Sequence, residues 1–138
     1  MLNIVTVFVR LWRQLWLWAP PLFYAALIFH FSSEANPLPA LTTTIWDKAL
    51  HATEYAGFAV LLFRALRGEG VGAGWSIVLA FLIATVYAAS DEWHQLWVPG
   101  RDSSVLDWTA DTIGAALGSA LLPSWRDAEP GLMRRRIV

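Results

Sequence analysis

The 138-residue chain contains no cysteine, and charged residues make up only 15% of it. Without cysteine there is no disulfide framework, no thiolate metal site and no thiol nucleophile. The scarcity of charge accompanies an apolar excess: 57% of residues are hydrophobic and 14% aromatic, with nine tryptophans and a mean hydropathy of +0.46. Soluble domains average roughly 45–50% apolar and about 25% charged residues, so both figures are displaced toward lipid. Lys+Arg total 10 against 11 Asp+Glu, which removes the electrostatic footprint of a nucleic-acid binder. Also missing are a His-Glu-x-x-His pair, a Walker loop and a nucleophile elbow. The composition fits one small integral membrane domain spanning 1–138.

Four apolar stretches stand out, at 15–31, 49–63, 75–89 and 108–122. Each is shorter than the roughly 20 residues a helix needs to cross about 30 Å of hydrocarbon. The polar ends must therefore help to span. Extended helices over 12–31, 46–66, 75–97 and 104–122, with a tail at 123–138, predict an all-α membrane bundle of four transmembrane helices. Thr44 with Asp47, and Ser104 with Asp107, have the spacing of an N-cap and a first-turn acid. Pro37, Pro39, Pro99-Gly100 and Pro123 fall outside these spans, whereas Pro20 and Pro21 predict a kink or a late start in the first helix. The run RGEGVGAG at 67–74 reads as a flexible linker, since no strand or Lys-Ser/Thr pair accompanies its glycines.

Orientation follows from the cations. Arg10, Arg13, Arg64, Arg67, Arg126 and Arg134 to Arg136 fall on one side, and only Lys48 and Arg101 on the other, so both termini are expected to be cytoplasmic. Tryptophans sort into two belts: Trp12, Trp16, Trp18, Trp75 and Trp125 at cytoplasmic ends, Trp46, Trp93, Trp97 and Trp108 at outer ends. A cleaved leader is not expected, because the first apolar run is long, broken by Pro-Pro and lacks a small-x-small cleavage site.

Glu34, Asp47, Glu54, Asp91, Glu92, Asp102, Asp107 and Asp111 all gather at the outer end, leaving only Glu69, Asp127 and Glu129 at the other. Asp47, His51 and Glu54 or Tyr55 form one helical stripe; Asp91, His94 and Gln95 form a second, with Tyr87 one turn deeper; Ser104, Asp107 and Asp111 form a third. A charged side chain facing lipid costs about 2.5–3.5 kcal/mol on insertion scales, so these stripes should face one another or a wet cavity. Eight acids against Lys48 and Arg101 require carboxylates that hold their protons, protonated His51 and His94, a bound metal or a cationic ligand. Mixed nitrogen and oxygen ligands from His51, Asp91 and His94 could hold Zn²⁺ or Mn²⁺. Carboxylate and imidazole together could equally perform acid/base work. A structural interhelical hydrogen-bond network explains the same residues. Gly114 and Gly118 have small-xxx-small spacing and predict close helix packing.

The segments FSSEANP at 31–37, WDKALHATEYAGFAVL at 46–61 and SDEWHQLWVPGRDSSVLDWTADTIGAALG at 90–118 together resemble the VanZ-like membrane proteins. The matching positions are Ser32, Ser33, Asp47, Lys48, His51, Tyr55, Glu92, Gln95, Pro99, Gly100, Arg101, Asp107, Gly114 and Gly118. Asp111 stands where many relatives carry Asn, and His94 is not part of the pattern. The resemblance implies a multi-pass bacterial cytoplasmic-membrane protein whose namesake is linked to teicoplanin resistance. The implied partners are the bilayer and a lipid-linked envelope precursor or lipoglycopeptide.

The expected function is to bind or mask an outer-leaflet envelope component, with Lys48, Tyr55 and Arg101 as ligand-binding candidates. The alternative is a membrane-embedded enzyme acting on a lipid or polyprenyl headgroup by acid/base or metal chemistry. Asp47, His51, Glu92, Gln95, Asp107 and Asp111 are its candidate catalytic residues. A third expectation is an assembly factor in which the cluster only packs helices. Arg101 suits a phosphate or carboxylate through its planar fork, although an ion pair with Asp102 or Asp107 is expected first.

Overall fold

The computed structural model describes residues 4–35 and 44–127. Pro37, Pro39, Glu129 and the run Arg134 to Arg136 lie outside the described residues, as do the side chains of Thr44, Trp46, Trp125, Arg126 and Asp127. Four helices, α1 (Ile4–Ser32), α2 (Thr44–Gly68), α3 (Ala73–Gln95) and α4 (Val105–Asp127), account for the secondary structure, with no strand among the described residues. By length and composition α1 and α3 are apolar enough to cross a membrane. α2 packs against all three others, and its contact with α4 is the most extensive.

The core is unusually lean. On α3, Ser76, Ala80, Ala84 and Ala88 recur every fourth residue and are fully buried. Small side chains on one face let helix backbones approach closely, which substitutes van der Waals contact for the hydrophobic drive that lipid cannot supply. The opposing surface of α2 carries Tyr55, Phe58, Ala59 and Leu62. Large apolar side chains instead point outward, among them Phe8, Trp16, Leu22 and Phe23 on α1, Val86 on α3 and Leu106 and Leu117 on α4. Soluble monomers rarely expose a contiguous apolar surface on this scale.

α1 begins at Ile4 and continues through Pro20 and Pro21, so the expected late start does not occur. Pro20 lacks the N–H that would bond the carbonyl of Trp16. Arg64 Nη1 donates to that carbonyl oxygen at 3.3 Å, and α2 thereby occupies an acceptor that α1 cannot satisfy itself. α4 likewise runs through Pro123 to Asp127, beyond the expected boundary.

The glycine-rich run is shorter as a connection than its composition suggests. Arg67 and Gly68 belong to α2 and Ala73 and Gly74 to α3, leaving four residues between. Gly70 takes φ +88°, Gly70 N–H donates to Arg67 O at 3.0 Å and Val71 N–H to Leu66 O at 3.1 Å. That is a Schellman cap, which satisfies the last carbonyls of α2 and sets the reversal rather than leaving it loose. Around it, Glu69 accepts from Trp18 Nε1 at 2.9 Å and Gln14 Nε2 at 3.3 Å, with Arg13 at 3.6 Å.

Candidate functional site

At the opposite end of the bundle the polar stripes of α2, α3 and α4 meet. α3 ends at Gln95, two residues before the expected boundary, and Leu96 to Pro99 lead into a tight turn. Arg101 N–H donates to Val98 O at 3.1 Å, with Pro99 at the first corner and Gly100 at the second with φ +84°. This is a type II turn, whose third residue demands positive φ and hence glycine. It sets Arg101 against the side of the cluster.

α4 starts with Ser104, whose Oγ accepts the Leu106 N–H at 3.2 Å, as the N-cap spacing predicts. In a capping box the first-turn acid would reach back to the cap residue's own N–H. Here Glu92 of α3 does so instead: its Oε2 accepts Ser104 N–H at 2.8 Å and Ser103 Oγ at 3.1 Å. Asp107 is thereby released toward α2, where it forms an ion pair with Lys48. Lys48 also contacts Asp47 at 3.4 Å. One turn further along, His51 Nδ1 stands 3.0 Å from Asp111 Oδ1, and Asp111 is 1% exposed.

These contacts depend on the approach of α2 to α4. A Cβ added to Gly114 would meet the backbone carbonyl of Ala52, and one at Gly118 that of Ala56. The glycine pair thus brings the helices to backbone contact one turn below His51 and Asp111. A longer side chain there would separate the acids from their partners.

The α3 stripe divides between two surroundings. Asp91 and Gln95 point into the bundle; Gln95 Nε2 donates to Asp91 Oδ2 at 3.3 Å and to Ser32 Oγ at 3.1 Å. His94 points toward the end of α1, where its ring stacks on Phe29 and its Nε2 lies 3.1 Å from Ser33 Oγ. The structure therefore does not bring His94 together with His51 in one metal site. At about 100° per residue, positions 91 and 94 diverge by roughly 60° around the helix, which suffices to assign them to different neighbours. The grouping that geometry does permit is His51, Glu92 and Asp111, whose ligand atoms lie within 4.8 Å of one another. Asp47, His51 and Asp107 form a similar group, but Lys48 already places a cation against Asp107.

Beside this network lies a cavity of about 300 Å³. α1 supplies Tyr24, Ile28, Phe31 and Ser32 to its wall, while α2 supplies Asp47, Leu50, His51, Thr53 and Glu54. Asp91, Gln95 and Arg101 complete it. Arg101 does not pair with Asp102 or Asp107, contrary to expectation, because Lys48 reaches Asp107 first and Asp102 stays exposed. Tyr55 is 1% exposed, and its hydroxyl is buried without a hydrogen bond. Glu54, the alternative to Tyr55 on the α2 stripe, lines the cavity, and so does Ser32, which reaches it because the end of α1 packs against the cluster, a proximity that sequence spacing cannot carry.

A four-helix protein with charged side chains turned inward at one end and apolar side chains turned outward is an all-helical bundle, two of whose helices are long and apolar enough to cross a membrane. Residues 4–126 match the family model described as VanZ/LLP1, so the chain belongs to the VanZ-like family over nearly its whole length. No curated protein and no solved structure matches it.

Proposed function

We propose that this is a four-span protein of the bacterial cytoplasmic membrane, with both termini cytoplasmic, whose polar cavity opens at the outer leaflet. There it binds a lipid-anchored envelope component and limits the access of teicoplanin-type lipoglycopeptides. Membership of the VanZ-like family supports a resistance-associated role in general terms. The observation that carries the binding role is the cavity itself, walled by ionisable groups of α2 and α3 on one side and by Tyr24, Ile28 and Phe31 of α1 on the other. A headgroup can meet charge there while its chains leave along an apolar helix. Orientation is supported by Arg10, Arg13, Arg64 and Arg67 at the end away from the cavity, as the positive-inside rule requires.

Binding of labelled teicoplanin to cells expressing the protein tests this reading. Wild type should lower surface labelling, and Asp107→Asn and Glu92→Gln should restore it while remaining folded in the membrane. Unchanged protection in both variants would leave the cluster a packing device. A second reading, acid/base chemistry on a lipid headgroup, is favoured by one contact: His51 lines the cavity while Asp111 holds its Nδ1 from behind at 3.0 Å. Headgroup turnover by wild type and its loss in His51→Ala would establish the enzyme instead.

A further inference from the structure

The charged groups in and beside the cavity fall into two sets, those already satisfied and those not. Asp47 and His51, which line it, are taken up by groups behind the wall, Asp47 by Lys48, which also pairs with Asp107, and His51 by Asp111. Arg101 and Glu54 are not. Among the described residues the guanidinium of Arg101 forms no ion pair, and its Nε is buried without a hydrogen bond. The Glu54 carboxylate likewise accepts no hydrogen bond and forms no ion pair, although both side chains line the same cavity. Asp91 is 6% exposed, and its Oδ1, buried beside Ser32 and Gln95, accepts no hydrogen bond. Two opposite charges in one low-dielectric cavity that do not join each other leave a separation into which a ligand of both signs fits. A purely anionic ligand would leave Glu54 and Asp91 facing its charge, and a purely cationic one would do the same to Arg101.

Resting on the lipid-binding reading above, we infer that the cavity holds a zwitterionic phosphate ester bearing a primary ammonium, a headgroup of the phosphoethanolamine type, between Arg101 and the Glu54/Asp91 pair. Arg101 presents a planar fork of N–H donors, which fits two phosphate oxygens at once. An ammonium supplies hydrogen-bond donors to Asp91 Oδ1, which is buried without one, and to the Glu54 carboxylate, which accepts none among the described residues. At about 300 Å³ the cavity stands at the small end of ligand pockets, which suits a headgroup without its acyl chains. Leu50, Ile28 and Phe31 provide an apolar path for those chains. A quaternary ammonium would carry the charge but donate no hydrogen bond, so choline esters should bind less well.

The test uses the full chain purified in detergent, with native mass spectrometry of its complexes with phosphatidylethanolamine, phosphatidylglycerol and phosphatidylcholine of identical acyl chains. Wild type should retain phosphatidylethanolamine at least tenfold better than phosphatidylglycerol. Glu54→Gln should erase that preference, and Arg101→Gln should weaken both lipids. Free phosphoethanolamine as a competitor distinguishes a water-soluble ligand from a membrane lipid: displacement at equal concentration would assign the site to the soluble ester. Equal retention of the two lipids by wild type overturns the headgroup assignment while leaving lipid binding intact. Retention of no lipid of any class overturns both, and that comparison requires no variant to fold.

Discussion

The contact between Gly114 and Ala52 allows a prediction whose sign depends on which of two opposed effects is larger. Replacing Gly114 by Ala adds one methyl group and removes backbone freedom, which alone favours the helix by about 0.8–1.0 kcal/mol. Against that, the new Cβ meets the carbonyl of Ala52, a backbone group that cannot rotate aside. α2 and α4 must separate, and overpacking of this kind costs roughly 1–3 kcal/mol, with rigid backbone placing it in the upper part of that range. Net destabilisation of about 1–2 kcal/mol is expected from these two terms. Gly118→Ala should behave alike against Ala56, and the double variant should cost less than the sum, because the first substitution already opens the gap. Gly74 offers the control: nothing lies within 4 Å of its added Cβ, so Gly74→Ala should be neutral or slightly stabilising. Reversible unfolding in mixed micelles measures all four proteins. A neutral or stabilised Gly114→Ala would refute the close approach, and with it the geometry that joins His51 to Asp111. Because the chain has no cysteine, pairs introduced on α2 and α4 can report the helix separation by cross-linking without background.

Three further outcomes follow from single contacts. Lys48→Met leaves Asp107 buried without its cation and should destabilise by about 1–3 kcal/mol, less than the full cost of a broken buried pair because Lys48 is half-buried; the double variant Lys48→Met/Asp107→Asn should recover most of that in the same unfolding assay. Glu92→Ala removes the acceptor of the Ser104 N–H and should cost roughly 1.5–3 kcal/mol, while Glu92→Gln keeps an acceptor oxygen and should cost less, with hydrogen exchange at the start of α4 rising in the first variant only. Elemental analysis of wild type purified with Mn²⁺ or Zn²⁺ tests the His51, Glu92 and Asp111 grouping: a stoichiometric metal lost in Asp111→Ala would show it to be a metal site, and no metal in wild type would reject it.

Much of the architecture was legible because lipid imposes simple rules on a chain. Scarce charge, four apolar runs and the tryptophan distribution suffice for four helices, and cation counting separates the two ends. The acids on the stripes of α2, α3 and α4 converge at one end of the bundle, since a charged group has nowhere inexpensive to go but inward. Boundaries were less legible where a distant partner alters the local rule. α1 continues through Pro20 and Pro21 with Arg64 bonded to the carbonyl that proline leaves open, and no window of sequence around the prolines contains that arginine. The alanine stripe at 80, 84 and 88 does not stand out in the sequence because small apolar residues register as generic hydrophobicity, although their spacing is as informative as that of the glycines.

The amino-acid sequence by itself determined which residues must avoid lipid, through helical periodicity and the cost of burying charge. It could not determine who pairs with whom, because that depends on helix rotation and separation. Residues three apart, such as Asp91 and His94, share a stripe on paper, yet a rotation of roughly 60° sends one into the bundle and the other against Phe29. Tertiary packing decided that Glu92 would take the cap N–H of α4, that Asp107 would thereby be left for Lys48, and that Arg101 and Glu54 would face one cavity unpaired. Those assignments are set by contacts between residues many turns apart in the chain, where backbone approach at Gly114 and Gly118 fixes distances that local propensity does not encode.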